Sequence, residues 1–517
     1  MKKFIFTILA FLALLPLRAQ LSSAEIDALV TRTLKTFDVP GIAVCVIKDG
    51  KIVHSKGYGV RSLNSGLPVN ENTLFGIASN SKAFTAAALG LLKEEGKLTW
   101  DQKVTDFIPE FKMYDPYVTA EFTLRDLLTH RSGLGLGAGD LMFWPDENNF
   151  TKADIIHNLR YLKPVSSFRS KYDYDNLLYI VAGEVVARAS GMPWEEFIQK
   201  RFFDPLGIST AAPSFRLVKD KSNVIDPHFY VDGKLQVIRR DWSENANAAG
   251  GIYASVNEMS RWIVALLNGG KQGDRQLLAP ATLRELWTPQ TLLPVSSPGP
   301  YRTQFAAYGL GWVLTDVKGH KQVSHTGGLA GIVTQTVMIP DLNLGILVYT
   351  NQQSGAAFNA ISNTIKDAYL GEKANDDWVD FYAQRVRAAK ENADEILARV
   401  EAETRRNTGT SPPAFDVKGV FEDPWFGEVE IHDKDGQLWF TSRRSARLNG
   451  PMYFYKGNTY MVRWTDRSLD ADAYLVFGLD TEGRAITLKV SAISPLTDFS
   501  FDFQDLDFKR KNGSVQK

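Results

Sequence analysis

Strand-like apolar runs gather at two separated places in the first 350 or so residues, and that separation limits what the chain can fold into. Ile42–Ile47 and Ile52–Gly57 are joined by Asp49-Gly50, a strong tight-hairpin signal. Tyr308–Leu314, Gln322–His325, Ile332–Ile339 and Leu344–Tyr349 follow much later, parted by turns at Lys318-Gly319 and Pro340-Asp341-Leu342-Asn343. The stretch from roughly 85 to 300 is helical and loop-rich, with helices predicted over Leu124–Leu128, Asn176–Ala189, Pro193–Phe203 and Val256–Leu267. One sheet must therefore draw strands from both ends of a domain and carry the helical stretch as an insertion. Hairpin-length links predict antiparallel pairing. Helices at Ser23–Phe37 and Ala357–Tyr369 are placed to cover the sheet.

A chain of 517 residues exceeds one ordinary domain. We divide it into a signal peptide (1–20), a main domain (21–372), a charged helical linker (373–410) and a C-terminal β domain (411–517). In the last part short strands are predicted at Phe426–Ile431, Gln437–Ser442, Met452–Lys456, Thr459–Trp464, Ala473–Gly478 and Thr487–Val490, a small antiparallel sheet or barrel with no catalytic constellation of its own. Lys2 and Lys3 precede an apolar core, Phe4–Leu15, that is short for a membrane span, with cleavage expected after Ala19 or Gln20. The expectation is a secreted, periplasmic protein with no stable membrane anchor after cleavage. Lys plus Arg number 59 and Asp plus Glu 59, so charge makes no case for nucleic acid. The single cysteine, Cys45, lies in an apolar strand and is expected to pack as a small hydrophobe.

Three short motifs carry the chemistry. Ser79-Asn80-Ser81-Lys82 opens a predicted helix, and serine and lysine three apart share a helix face. A lysine can deprotonate a serine once its ammonium is destabilised; alone, the pair reads equally well as a helix cap beside a solvated charge. Downstream come Tyr174-Asp175-Asn176, leading into an apolar helix, and His325-Thr326-Gly327-Gly328, at the end of a strand. In this order the motifs resemble the serine β-lactamase and penicillin-binding-protein superfamily, in its class C and CubicO-type form with Tyr-x-Asn. Leu127–Leu134, Phe203–Gly207 and Ala248–Tyr253 resemble the same relatives. The likeness spans about residues 23–372. The C-terminal segment resembles the small β-rich domain of unknown function often appended to such hydrolases.

The resemblance implies an α+β fold, a β-lactamase-like antiparallel sheet flanked by helices, with a barrel-like all-β domain after it. It implies acyl transfer through Ser79, with Lys82 as base, Tyr174 as proton relay and His325 as a fourth catalytic residue. Backbone N–H groups of Ser79 and Gly328 would form the oxyanion hole, and Asn176, Thr326 and Gly327 would bind substrate, Asn176 orienting Lys82 or a substrate amide. Penicillin-recognising relatives usually have lysine where this chain has His325. That moves the expected substrate from β-lactams towards esters and D-amino-acid peptides, and predicts a pH limb belonging to His325. Neighbouring cations are expected to favour a Tyr174 phenolate. His130 is read as holding a loop. Asp140, Met142, Phe143, Trp144, Trp242 and Asn247 are read as pocket lining or packing. The remaining histidines lack metal-ligand spacing and no phosphate loop is evident, so neither metal nor cofactor is expected. The expected partner is a small-molecule or short-peptide substrate. Transfer to an alcohol or amine acceptor, and a binding or sensor protein on the same fold, are the alternatives.

Overall fold

The computed structural model describes residues 21–371, 377–407 and 415–511. The predicted signal segment and parts of the predicted linker lie outside them. Strand β1 (Gly41–Lys48) is buried along nearly its whole length. Ile42, Val44 and Val46 enter one core, whereas Ala43, Cys45 and Ile47 enter another. Two-sided burial is why the run is continuously apolar, without the alternation of a strand with one wet face. Its hairpin partner β2 (Lys51–Gly59) is a sheet edge. On its other side β1 pairs with a strand some 300 residues downstream, Ile42 opposite Thr350 and Lys48 opposite Leu344.

The remaining strands are β3 (Thr291–Leu293), β4 (Ala306–Tyr308), β5 (Val313–Val317), β6 (His320–Leu329), β7 (Ile332–Ile339) and β8 (Leu344–Thr350). They form one antiparallel sheet in the order β2-β1-β8-β7-β6-β5-β4-β3. Six helices complete the frame: α1 (Ser23–Thr36), α2 (Lys82–Glu94), α3 (Leu177–Ser190), α4 (Val256–Leu267), α5 (Gly355–Leu370) and α6 (Trp378–Arg406). On one face Ile26 and Val30 of α1 and Ala360, Ile361 and Ile365 of α5 meet the sheet. On the other, α4 lies against β1 and β8, and α2 runs through the centre of the helical insertion with Lys82 to Leu92 all buried.

Two strands depart from expectation. Tyr308–Leu314 is not one strand but a hairpin, because the chain reverses between Tyr308 and Val313. Gly311 sits there at φ +79° against the Lys82 carbonyl and Ala86, a position that has no room for a side chain. β6 runs on to Leu329, so the His-Thr-Gly-Gly motif lies inside the strand rather than at its exit. The predicted helix Pro193–Phe203 is also broken, an α-turn over Trp194–Ile198 running into a π-turn over Gln199–Phe203.

The C-terminal domain is a closed eight-stranded barrel: β9 (Gly419–Asp423), β10 (Gly427–Lys434), β11 (Gln437–Ser442), β12 (Asn449–Lys456), β13 (Thr459–Val462), β14 (Ala473–Leu479), β15 (Ala485–Ala492) and β16 (Phe508–Arg510). The two strands absent from the sequence reading, β9 and β16, pair with each other and close it. β16 has three residues, too few to show a pattern. Helix α6 packs on both domains. Trp378 is buried beside α5 and donates to Asp367 at 2.6 Å, while Val400 packs on Met461 and Ile493 of the barrel.

Candidate active site

Ser79 stands on a short 3-10 turn, Ala78–Ser81, just before α2. Ala78 is left-handed (φ +50°), a costly conformation for a residue with a Cβ, and the surroundings hold it there. Thr334 of β7 donates to the Ile77 carbonyl at 2.9 Å, Asn80 donates to the Thr334 hydroxyl at 2.9 Å, and the Ile77 N–H bonds the Ile252 carbonyl at 2.8 Å. A Cβ on Gly327 would strike the Ile77 carbonyl and Ala78. Gly327 is therefore a close-approach residue that lets β6 meet the serine turn. It does not line the cavity, which corrects its reading as a substrate contact.

Lys82, the first residue of α2, is fully buried. Its Nζ lies 3.0 Å from Ser79 Oγ, 2.7 Å from Asn176 Oδ1 and 2.9 Å from the Ala249 carbonyl. It sits between the rings of Tyr174 and Tyr179, about 5 Å from each centroid. Burial pushes the ammonium down to about 7, against the pull of Asp140 and Asp175. In the neutral amine two N–H groups meet obligate acceptors, Asn176 Oδ1 and the Ala249 carbonyl. The lone pair is then left to face the Ser79 hydroxyl. Asn176 thus holds the lysine, and its own Nδ2 donates to Asp140 at 2.8 Å.

Tyr174 lines the same cavity, its hydroxyl against Ser79. Burial drives its phenol well above the usual range, so it is a neutral O–H group; the expected phenolate is corrected by the cost of burying charge. His130 lies tilted against its ring (centroids 4.2 Å apart) and accepts the Asp175 N–H through Nδ1 at 3.0 Å, holding that loop.

His325 lines the same cavity, and Tyr308, which the sequence reading passed over, donates to its Nε2 at 2.9 Å. Nδ1 lies 2.6 Å from the Thr326 carbonyl and must carry the proton. Burial and the neighbouring Lys82 push the imidazole down to about 3. A near-neutral limb therefore cannot belong to His325. Thr326 and Gly328 are exposed on β6 and both line the cavity. β5 pairs with β6 only as far as Ser324, so from His325 onward that edge of β6 has no strand partner among the described residues.

The cavity holds about 250 Å³ and its lining includes the aromatic residues Phe143, Trp144, Tyr172, Trp242 and Phe499. Asn247 and Met142 are buried outside it, whereas Asp140 acts behind it through Asn176. Three lining residues come from the loop between β15 and β16: Asp498, Phe499 and Ser500. The Phe499 ring stands edge-on to Tyr174 at 5.8 Å, Ser500 donates to Asp140 at 2.9 Å, and Asp502 accepts the N–H groups of Gly139 and Leu141. The barrel therefore closes over the cleft. Nothing local in that loop's sequence could have announced contacts made across some 360 residues.

An antiparallel sheet covered on both faces by helices, with a cavity-lining serine against a buried lysine at the start of α2, defines a β-lactamase-like fold. The chain belongs to the β-lactamase family, whose model matches residues 26–369. Residues 406–510 match a domain of unknown function (DUF3471). The unguisins hydrolase ungD of Aspergillus violaceofuscus is 30% identical over 384 residues, covering 69% of this chain and 67% of that protein. The flp protein of Staphylococcus aureus is 25% identical over 338 residues, 64% of each chain. The octameric penicillin-binding protein homologue from Pyrococcus abyssi shares the fold, with a TM-score of 0.61 at 20% identity, covering 92% of this chain and 99% of that one.

Proposed function

We propose that the protein is an exported serine hydrolase that cleaves an ester or amide through an acyl-Ser79 intermediate. The observation that carries this reading is the environment of Lys82: a buried amine whose N–H groups are committed to Asn176 and Ala249, leaving its lone pair for Ser79. In acylation Ser79 Oγ attacks the carbonyl carbon while its proton moves to Lys82. The Tyr174 hydroxyl gives its proton to the leaving nitrogen or oxygen as the Lys82 ammonium passes its own to the phenol oxygen, so the acyl-enzyme is left with a neutral lysine and a neutral phenol. The freed amine next accepts a proton from the water that attacks the acyl carbon, and returns it to Ser79 Oγ as the acyl–Oγ bond breaks and the acid leaves. The backbone N–H groups of Ser79 and Gly328 are assigned to the oxyanion; the unpaired edge of β6 supports that assignment.

The lining supports a substrate uncharged and apolar next to the scissile bond. Among the described residues it holds no lysine or arginine, the His325 imidazole is neutral with both nitrogens engaged, and Asp498 contributes a carboxyl group. A β-lactam carrying a carboxylate finds no fixed cation there. Peptide amides or esters with aromatic or aliphatic flanks fit better, in keeping with a relative named for unguisin hydrolysis. The Lys2-Lys3 start and the apolar core behind it support export.

Intact-mass measurement after a fluorophosphonate probe tests the nucleophile: one adduct on wild type and none on Ser79→Ala is expected. An unlabelled wild type removes the reading and favours a binding protein. Because Lys82 must be unprotonated to act, turnover of an aryl ester should rise with pH through about 7. That limb should be absent from Lys82→Ala, whose rate falls by roughly 10²–10⁴. Product analysis with competing alcohols or amines separates hydrolysis from acyl transfer.

A further inference from the structure

The oxygen that takes Lys82's N–H belongs to an amide that could equally well sit the other way round. Asn176 has one acceptor and one donor end, nearly identical in shape. If it were flipped, its Nδ2–H would point at Lys82, capture the lone pair and leave the amine facing Ser79 with only N–H groups. What sets the orientation is the partner behind the amide. Asp140 Oδ2 receives the Asn176 Nδ2–H at 2.8 Å and, on the same oxygen, the Ser500 hydroxyl at 2.9 Å. All of these groups are buried. Asp140 Oδ1 has no hydrogen-bond partner, so two donors converge on one oxygen of the carboxyl and none on the other.

That asymmetry matters because burial makes Asp140 retain a proton well above the usual carboxylate range. A proton on Oδ2 would turn the acceptor into a donor and favour the flipped amide. With two donors already aimed at Oδ2, the proton is held on Oδ1, and Oδ2 stays an acceptor in both ionisation states. Ser500 reaches this spot on the barrel loop. Asp502 clamps that loop to the Gly139 and Leu141 N–H groups on either side of Asp140, at 2.5 and 3.2 Å. Gly137, left-handed at φ +69°, leaves room for Phe499 to lie against it.

We propose that Asp140 and Ser500 are positioning residues that fix the Asn176 amide with its oxygen towards Lys82, so that the amine's lone pair is aimed at Ser79. The barrel then takes part in setting up the base from outside the domain that carries it. This inference rests on the hydrolase reading above. The other ionisable groups facing Lys82 are Asp175 below α3, the phenols of Tyr174 and Tyr179, and the imidazoles of His130 and His325; Asp502 faces Asp140.

The test uses the full chain and the rate of fluorophosphonate labelling of Ser79 from about pH 5 to 9. Ser500→Ala should label about tenfold more slowly, as misplaced catalytic groups do. Its limb should move to lower pH, because the ammonium loses an accepting oxygen. Ser500→Thr, which keeps the hydroxyl, should recover most of the rate and the wild-type limb. A folded Ser500→Ala with wild-type rate and limb overturns the proposal, as does equal slowing in Ser500→Thr. Should Ser500→Ala fail to fold, Asp140→Asn, whose amide can present a donor to Asn176, is expected to show the same displacement; an unmoved limb there overturns it. Wild type that takes no label sinks the hydrolase reading instead. The ¹⁵N-lysine NMR titration of Lys82 in wild type and Ser500→Ala then still decides the positioning question, a shared midpoint overturning it.

Discussion

The main domain and the barrel build one cavity by opposite means. In the main domain the groups at and beside the cavity stand in short motifs at the start of a helix, before a second helix and within a strand: Ser79 with Lys82 behind it, Tyr174 and Asn176, and His325, Thr326 and Gly328. Their spacing is set by local geometry, so the proposed chemistry shows in the sequence. The barrel has no such motif. Its share comes from one loop whose residues bond across the domain boundary, Ser500 to Asp140 and Asp502 to the backbone around it. The difference teaches that a motif marks where a reacting group sits, while the groups that aim it can come from anywhere the fold brings close.

That contrast can be broken from either side. The largest expected effect is at Gly327→Ala, on the motif side. The added Cβ runs into the Ile77 carbonyl, the Thr334 hydroxyl and Ala78, so β6 must back away from the serine turn. Probe labelling of Ser79 should fall about 100-fold, the scale for misplacement by about an ångström. Labelling at the wild-type rate would show that the close approach is incidental.

Next is Asp502→Ala, on the barrel side. It strands the buried N–H groups of Gly139 and Leu141, which typically costs about 1–3 kcal/mol. Urea unfolding should show that loss together with slower labelling. Lost stability with unchanged labelling would reduce the barrel to a brace.

A smaller change is expected for Phe499→Ala. Loss of the ring edge-on to Tyr174 should raise KM for aromatic substrates about fivefold, roughly 1 kcal/mol, and leave small acyl esters alone. Equal effects on both substrate types would mean that the loop shapes the cavity without selecting.

The last is a pH effect on stability inside the main domain, with no direct reading at Ser79. Burial raises Asp175 to about 7, above the roughly 3.9 of an unfolded chain. The folded state therefore holds this proton more tightly. The stability this confers is complete below about pH 4 and is lost as pH rises towards 7. Asp175→Asn should flatten the decline in Tm across that window by a few degrees.

The sheet was legible because its central strands are buried on both faces and so form unbroken apolar runs, β1 above all. The hairpin between Tyr308 and Val313 was not, since a glycine-rich reversal inside an apolar run looks like more strand. Barrel closure by β9 and β16 was hidden for a related reason: three residues carry no period. Tyr308 resembled any core tyrosine until the fold set its hydroxyl against His325.

The sequence by itself determined which groups the proposed reaction would use. Ser79 and Lys82 come within reach of one another because a helical turn brings residues three apart together. Tertiary structure alone decided their protonation and aim. A lysine's proton affinity depends on the water taken from it and on the dipoles around it, and those are gathered from Asn176, Ala249, Asp140 and, across the domain boundary, Ser500. The same burial that readies Lys82 removes His325 from titration near neutrality, which its identity alone could not show.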